Sequence, residues 1–300
     1  MFARMRLTPG SQEYQEYYAR HPDKQAEDDR LRAQPGLLSP QSSLFEAEPA
    51  AQIKATFPSV ADLQSLSAPT PASQPTGLDP KTISGSLKVT AQTSGAILAG
   101  ITEITAADYY THRGRGSHYG TAIQEHHRWA VVFAVEMDRQ RVCQAPALAA
   151  TVASSQGYLR AAVIGRVLMH AIAQAGYGSY HHMDADYLLP LPFLAERAGL
   201  GQIGRMGILI TRQFGARVRL GAVTTNLPLA ADQPTDFGLQ AFCSRCGRCA
   251  AECIGGAIDG GTPQELNGQL RWKTTVERCY DVWVRLGSDC GVCLKTCPFS

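Results

Sequence analysis

Nine cysteines occur in this chain of 300 residues, and eight of them fall between Cys243 and Cys297. The first four form the run Cys243-x2-Cys246-x2-Cys249-x3-Cys253. The second four are Cys279, then Cys290-x2-Cys293-x3-Cys297 followed by Pro298. Disulfide scaffolds belong to small secreted chains with dispersed cysteines, whereas repeated two-residue gaps set neighbouring thiolates around one centre. C-x2-C pairs also build zinc sites, but eight thiolates in this order suit two 4Fe–4S clusters. In such runs three close cysteines face one cubane and the fourth serves the other. The spacing therefore predicts Cys243, Cys246, Cys249 and Cys297 on one cluster, and Cys253, Cys279, Cys290 and Cys293 on the second. Cys279 stands in for the third member of a tight triplet, and Ile254 takes the place where proline usually follows the fourth cysteine. The ninth thiol, Cys143 between Val142 and Gln144, reads as a small buried hydrophobe.

Two clusters conduct electrons and need an acceptor upstream. The rest of the chain is long enough to hold one in a proper core. Its composition is ordinary, with 44% hydrophobic and 18% charged residues. A net charge of +2 makes no case for nucleic acid or an anionic membrane as partner. No apolar run approaches the roughly 20 residues of a spanning helix. Met1 to Leu7 lacks a signal-type apolar region and a twin-arginine leader, so the chain as written starts like a cytoplasmic protein, or like an exported one shown without its leader.

The elements that must position the clusters follow from periodicity and punctuation. Residues 1–65 are polar and mixed in charge, with a helical stretch at Gln12–Arg32 and a break at Pro35-Gly36. The proline-rich segment Ser67–Thr82 is a connector, and Asp79-Pro80 looks like an N-cap with proline at the first helical position. Ala96–Ile104 is a short strand. Trp129–Glu136 (WAVVFAVE) is apolar on both alternating faces, as a central strand covered on two sides is. Tyr158–Ala175 has the spacing of an amphipathic helix, stopped by Gly176. Gly207–Thr211 and Val218–Thr224 read as further strands. His181 and His182 invite a metal or acid–base reading, but neighbouring residues of an extended chain point to opposite sides. The fold class is α/β (α+β). We expect an N-terminal wrap and connector (1–82), a catalytic core (83–235) and a ferredoxin-like module (236–300).

Before the first cysteine stands Ala198-Gly199-Leu200-Gly201-Gln202-Ile203-Gly204-Arg205. Its G-x-G-x-x-G spacing precedes a strand rather than following one, so it is a weak dinucleotide signal and equally a turn needed for close packing. The blocks AERAGLGQIGRMGILITRQFGARVRLGAVTTNLPL (195–229), YYARHPDKQAEDDRLRAQPGLLSP (17–40), THRGRGSHYGT (111–121), RWAVVFAVEMD (128–138) and CYDVWVRLGSDCGVCLKTCPFS (279–300) occur in one order over nearly the whole chain. In them the sequence resembles the corrinoid-dependent reductive dehalogenases.

That resemblance implies a nitroreductase-like core binding cobalamin base-off, two 4Fe–4S clusters feeding electrons to cobalt, and reductive removal of halide from a small organohalide. It also implies an external donor (ferredoxin, flavodoxin or quinol-linked), with a membrane-anchor protein as a further partner. It puts Gly199, Gly201, Gly204 and Arg205 at a cofactor, Tyr158 in the place of the proton-donating tyrosine, and Arg219 in that of its basic partner. A cation beside a phenol favours the phenolate and so supports proton donation. The sequence departs from the family at His181-His182-Met183-Asp184-Ala185-Asp186, where some members carry an asparagine. It also stops at Ser300 where members commonly continue, so it reads as a short form or a truncated one. Two alternatives remain: an epoxyqueuosine reductase-like enzyme and a ferredoxin-type carrier without a substrate.

Overall fold

The computed structural model describes residues 1–114, 118–124, 126–184, 186–266 and 269–300. Part of the 111–121 block and Ala185 of the histidine loop therefore lie outside the described residues. In chain order the elements are α1 (Phe2–Met5), α2 (Gln12–Arg20), α3 (Pro22–Arg32), α4 (Ala47–Ser65), α5 (Pro80–Thr93) and β1 (Leu98–Glu103). Next come β2 (Trp129–Glu136), α6 (Arg139–Val142), α7 (Leu148–Gln174), β3 (Ser179–His182), α8 (Leu191–Arg197), β4 (Gln202–Ile203), β5 (Leu209–Ile210) and β6 (Val218–Thr225). The cysteine-rich end contains α9 (Leu239–Cys246), α10 (Arg248–Ala251), β7 (Gln264–Leu266), β8 (Gln269–Arg271), α11 (Val276–Leu286) and α12 (Val292–Thr296).

The core is a four-stranded antiparallel sheet in the order β1-β2-β6-β3. The WAVVFAVE segment is β2, and its six inner residues are buried on both faces. Val131, Phe133 and Val135 meet Ile164, Leu168 and Ile172 of α7 and Leu87 of α5. Ala130, Val132 and Ala134 meet Leu191, Leu194 and Ala195 of α8. With helices on both sides, each strand position contributes apolar area to one of two layers. Asp79 caps α5 as expected, its carboxylate accepting from the backbone N–H groups of Lys81 and Thr82 at 3.0 and 3.1 Å.

α7 is the long beam of the molecule, 27 residues and so roughly 40 Å. Its second half lies on the sheet, while its first half is covered by α4, where Ala50 and Ile53 pack on Leu148 and Val152. The wrap is also fastened to the cysteine-rich end. Arg4 pairs with Glu277 at 2.9 Å, and Arg30 with Asp281 at 2.8 Å. The backbone of Leu38 donates to Gly287 and that of Leu44 to Leu286. Buried Asp28 takes hydrogen bonds from Arg4 and from the Tyr18 hydroxyl, which satisfies its charge.

Several sequence expectations change. The Gln12–Arg32 stretch is two helices, divided at His21-Pro22, because proline lacks the N–H needed to continue the first. α4 was not anticipated, since Pro58 and its many alanines blur the apolar period. α7 starts ten residues before Tyr158, in the run LAATVASSQG, whose small residues are buried nearly all round and show no amphipathic face. The Gly207–Thr211 strand contracts to the two residues of β5, paired only with β4. Cys143 is exposed, not buried: it caps the short helix α6 and faces solvent. Among the described residues no helix is long and apolar enough to cross a membrane.

Candidate iron–sulfur centres and active site

The cysteine-rich end winds short helices separated by tight reversals, and the reversals set where the thiols point. Gly247 and Gly291, both with positive φ (61° and 67°), end one turn and start the next between neighbouring cysteines. All nine thiols are free. Cys243, Cys246, Cys249 and Cys297 line one cavity together with Arg205, Met206 and Phe299. Cys297 is thus more than forty positions from its three companions, as cross-ligation requires. The remaining four lie near one another: Cys279, Cys290 and Cys253 all act electrostatically on Cys293, as does Cys249 of the first group. The two quartets are those expected from the spacing. Burial first, then the neighbouring thiols, push Cys249 and Cys279 up to about 11 and Cys293 up to about 12.

A cubane spreads its four thiolates around a body larger than a single ion. Two 4Fe–4S clusters fit these quartets, and their iron would hold the thiols as thiolates, with release of protons. The Ala257 N–H donates to Cys253 Sγ at 3.2 Å, the kind of bond that tunes cluster potential.

The end of the glycine-rich turn, Gly204 and Arg205, adjoins the first quartet. Gly199 has φ of +79°, and a Cβ there would lie 2.5 Å from the Gln233 carbonyl oxygen; at Gly201 it would lie 2.3 Å from that of Ile210. Both positions border a cavity of about 350 Å³ with Arg212, Asp236 and Phe237. Gly204 lies against Cys243, where a Cβ would come 3.5 Å from the sulfur. Arg205 is buried and donates to the carbonyls of Cys243, Asp259 and Gly261 at 2.7 to 3.2 Å, with its guanidinium 4.7 Å from the Trp272 ring centre. It pins the first cysteine loop and sets a positive charge beside the thiols.

Tyr158 and Arg219 come together although 61 residues separate them in sequence. Arg219 is the second residue of β6 and faces α7, whereas Arg217 turns away to pair with Glu136 at 2.6 Å. The Arg219 guanidinium carbon lies 5.2 Å from the Tyr158 ring centre. Its Nε and Nη2 donate to Ser154 Oγ at 3.1 and 2.5 Å, and Nη2 is 3.8 Å from the Asp289 carboxylate. The side chain reaches this place over Gly157, where a Cβ would sit 2.8 Å from Arg219 Cγ. Asp289 immediately precedes Cys290, so the phenol and cation adjoin the second quartet and not the first. Burial raises the Asp289 carboxyl, opposed by Arg219 and Ser154, and Asp184 adds its charge nearby. Ser154 and Asp289 escaped sequence reasoning, although the position of Asp289 beside a ligand was a signal.

The two histidines form the unexpected edge strand β3, point to opposite faces and are both buried. His182 Nδ1 accepts from the Leu188 N–H at 3.3 Å, which leaves Nε2–H to donate to Thr224 Oγ1 at 3.0 Å. His181 packs on Gly165, where a Cβ would overlap its ring, and among the described residues neither of its nitrogens has a hydrogen-bond partner. Both histidines are buried, and only His182 has its ring nitrogens taken by the protein.

With this geometry in place, relatives can be compared. Residues 242–300 match the 4Fe-4S dicluster domain family. The tetrachloroethene reductive dehalogenase of Sulfurospirillum multivorans is 35% identical over 177 residues, which is 57% of this chain and 35% of that enzyme. A catabolic reductive dehalogenase solved with 3-bromo-4-hydroxybenzoic acid superposes with a TM-score of 0.74 at 28% identity, over 86% of this chain and 39% of that one. The chain is a relative of the reductive dehalogenases. Epoxyqueuosine reductase of Lactococcus garvieae is similar over a shorter stretch, at 30% identity over 36% of this chain and 31% of that enzyme. The chain spans about a third of the length of the curated dehalogenases it matches. The matched dicluster segment contains both cysteine quartets.

Two outcomes follow from this site. Anaerobically reconstituted protein is expected to carry about eight iron and eight sulfide, two cubanes' worth. Cys297→Ser should impair the cluster of Cys243, Cys246 and Cys249 and spare the other in electron paramagnetic resonance; loss of the second signal instead would refute the cross-ligation. His181 gives the second outcome. Burial foremost, and the Arg166 charge next, lower its pKa from 6.5 to about 4. The unfolded chain therefore binds a proton that the folded chain refuses, and stability falls as pH drops below about 6.5. Between pH 7 and 5 this should cost about 2 kcal/mol. His181→Phe should remove that share of the acid sensitivity in urea unfolding, and an unchanged pH slope would contradict it.

Proposed function

We propose that this chain provides the catalytic centre of a corrinoid-dependent reductive dehalogenase acting on a small organohalide, by R–X + 2e⁻ + H⁺ → R–H + X⁻. The observation that carries the reading is the contact of Tyr158 with Arg219, itself 3.8 Å from the residue preceding a cluster cysteine. An electron path, a proton donor and a cation thus meet in one place, and the overall reaction consumes both electrons and a proton.

A cobalamin bound base-off agrees with His182, whose two ring nitrogens are taken by Thr224 and the Leu188 N–H and so offer no imidazole to cobalt. Such a cofactor would supply the low-potential metal at which a carbon–halogen bond gives way. Tyr158, Arg219 and Asp184 are the side chains that would border it. Tyr158 holds the proton for the carbon centre on its phenolic oxygen. A phenol ordinarily ionises near pH 10 and is a weak acid for this purpose. Arg219 stabilises the phenolate that remains, and its charge also suits a departing halide. Asp184 lies in the loop after the two histidines, and its charge acts on Asp289.

Electrons would enter from an external low-potential protein at the first cluster and leave from the second. The domain division follows the same logic, with the wrap in 1–82, the catalytic core in 83–235 and the electron module in 236–300. Protein loaded with iron, sulfide and cobalamin should release halide from tetrachloroethene or 3-bromo-4-hydroxybenzoic acid when a reduced viologen is supplied. Fully loaded protein that releases no halide from either would overturn the proposal. Tyr158→Phe removes the proton and keeps the ring, so turnover should fall about 10²–10⁴-fold with cofactor content unchanged. Arg219→Lys should cost less than Arg219→Ala, because it keeps the charge and loses the fork. Near-normal turnover in loaded Tyr158→Phe would remove Tyr158 from the mechanism.

A further inference from the structure

α7 carries a short polar stripe on a face otherwise made of alanines and aliphatics. Thr151, Ser154 and Tyr158 are spaced by three and four, so they lie one above another. Thr151 Oγ1 accepts the backbone N–H of Asp289 at 3.0 Å, which holds the loop leading to Cys290. Ser154 is 1% exposed and takes two hydrogen bonds from Arg219, at 3.1 and 2.5 Å. The same Arg219 Nη2 lies 3.8 Å from the Asp289 carboxylate, so the buried hydroxyl holds the β6 cation where it also meets the cysteine loop.

A guanidinium on a strand has four rotatable side-chain bonds, and a ring face alone holds it weakly. The planar fork of Arg219 is aimed because two of its nitrogens share one acceptor fixed in a helix. Ser154 is neutral and buried, so it has no charge of its own to contribute to the reaction. We infer that Ser154 is the positioning residue of the site: it orients Arg219 against Tyr158 and keeps that pair in register with the second cluster loop. This rests on the proposed role of Arg219 and adds to it the residue through which that role is enforced.

A thermodynamic cycle separates positioning from general support. In protein loaded with both clusters and cobalamin, Ser154→Ala should lower turnover about tenfold or more, as misaimed groups do. In the Arg219→Ala background the same change should cost less than twofold, since nothing is left to aim. Ser154→Thr keeps the hydroxyl and should recover most of the activity. The pH profile supplies an independent readout. With Arg219 loosened, the phenolate is less favoured, so the alkaline limb of the Ser154→Ala profile should move to higher pH, as in Arg219→Ala. Iron, sulfide and cobalt contents measured beside each variant confirm equal loading. Equal losses in both backgrounds, or an unmoved alkaline limb, would overturn the positioning role while leaving the proposed function intact. If Arg219→Ala itself turns over normally, the proposed role of Arg219 fails, and the inference with it.

Discussion

The site depends on how one partly buried cation is satisfied. Arg219 is 19% exposed and projects from a strand into the angle between a helix and a cysteine loop. A charge so placed has to be compensated at short range. Its three partners come from two separate parts of the chain: Ser154 and Tyr158 from α7, Asp289 from the loop before Cys290. Because one guanidinium touches all three, their relative positions are fixed together. The glycine at 157 belongs to the same constraint, since any side chain there would occupy the space of the Arg219 stem.

The remainder of the fold keeps this junction in place. α7 lies on the sheet through Ile164, Leu168 and Ile172, so its register against β6 is set by the core. Its first half projects beyond that contact and would be exposed without α4. The N-terminal wrap covers it and then grips α11 through Arg4 and Arg30. Ser288 donates to the Pro146 carbonyl at 2.7 Å and Lys295 to that of Ala145 at 3.0 Å, just before α7 begins. The cysteine module is therefore anchored to the start of the same helix that carries the phenol. The second cysteine quartet and Tyr158 thus share one support.

Legibility in the sequence followed the strength of local signals. The two quartets were readable because cluster ligation imposes fixed spacings on cysteine, and β2 because a strand buried on both faces leaves an unbroken apolar run. Tyr158 and Arg219 were assigned by resemblance, and the fold brings them into contact. Ser154 was hidden because a serine among alanines has no period to betray it, and its partner Arg219 is 65 residues away. β3 was missed because Ser-Tyr-His-His on a sheet edge has little apolar content. Cys143 was misplaced because a general preference of cysteine for the interior says nothing about a helix end that faces water.

The link between Arg219 and the second cluster is the central physical claim, and a redox titration tests it directly. A positive charge beside a cluster favours its reduced form. Arg219→Gln should therefore lower the midpoint potential of the cluster held by Cys253, Cys279, Cys290 and Cys293, as followed by electron paramagnetic resonance. The cluster of Cys243, Cys246, Cys249 and Cys297 should keep its potential. A shift confined to that first cluster, or none in either, would contradict the account.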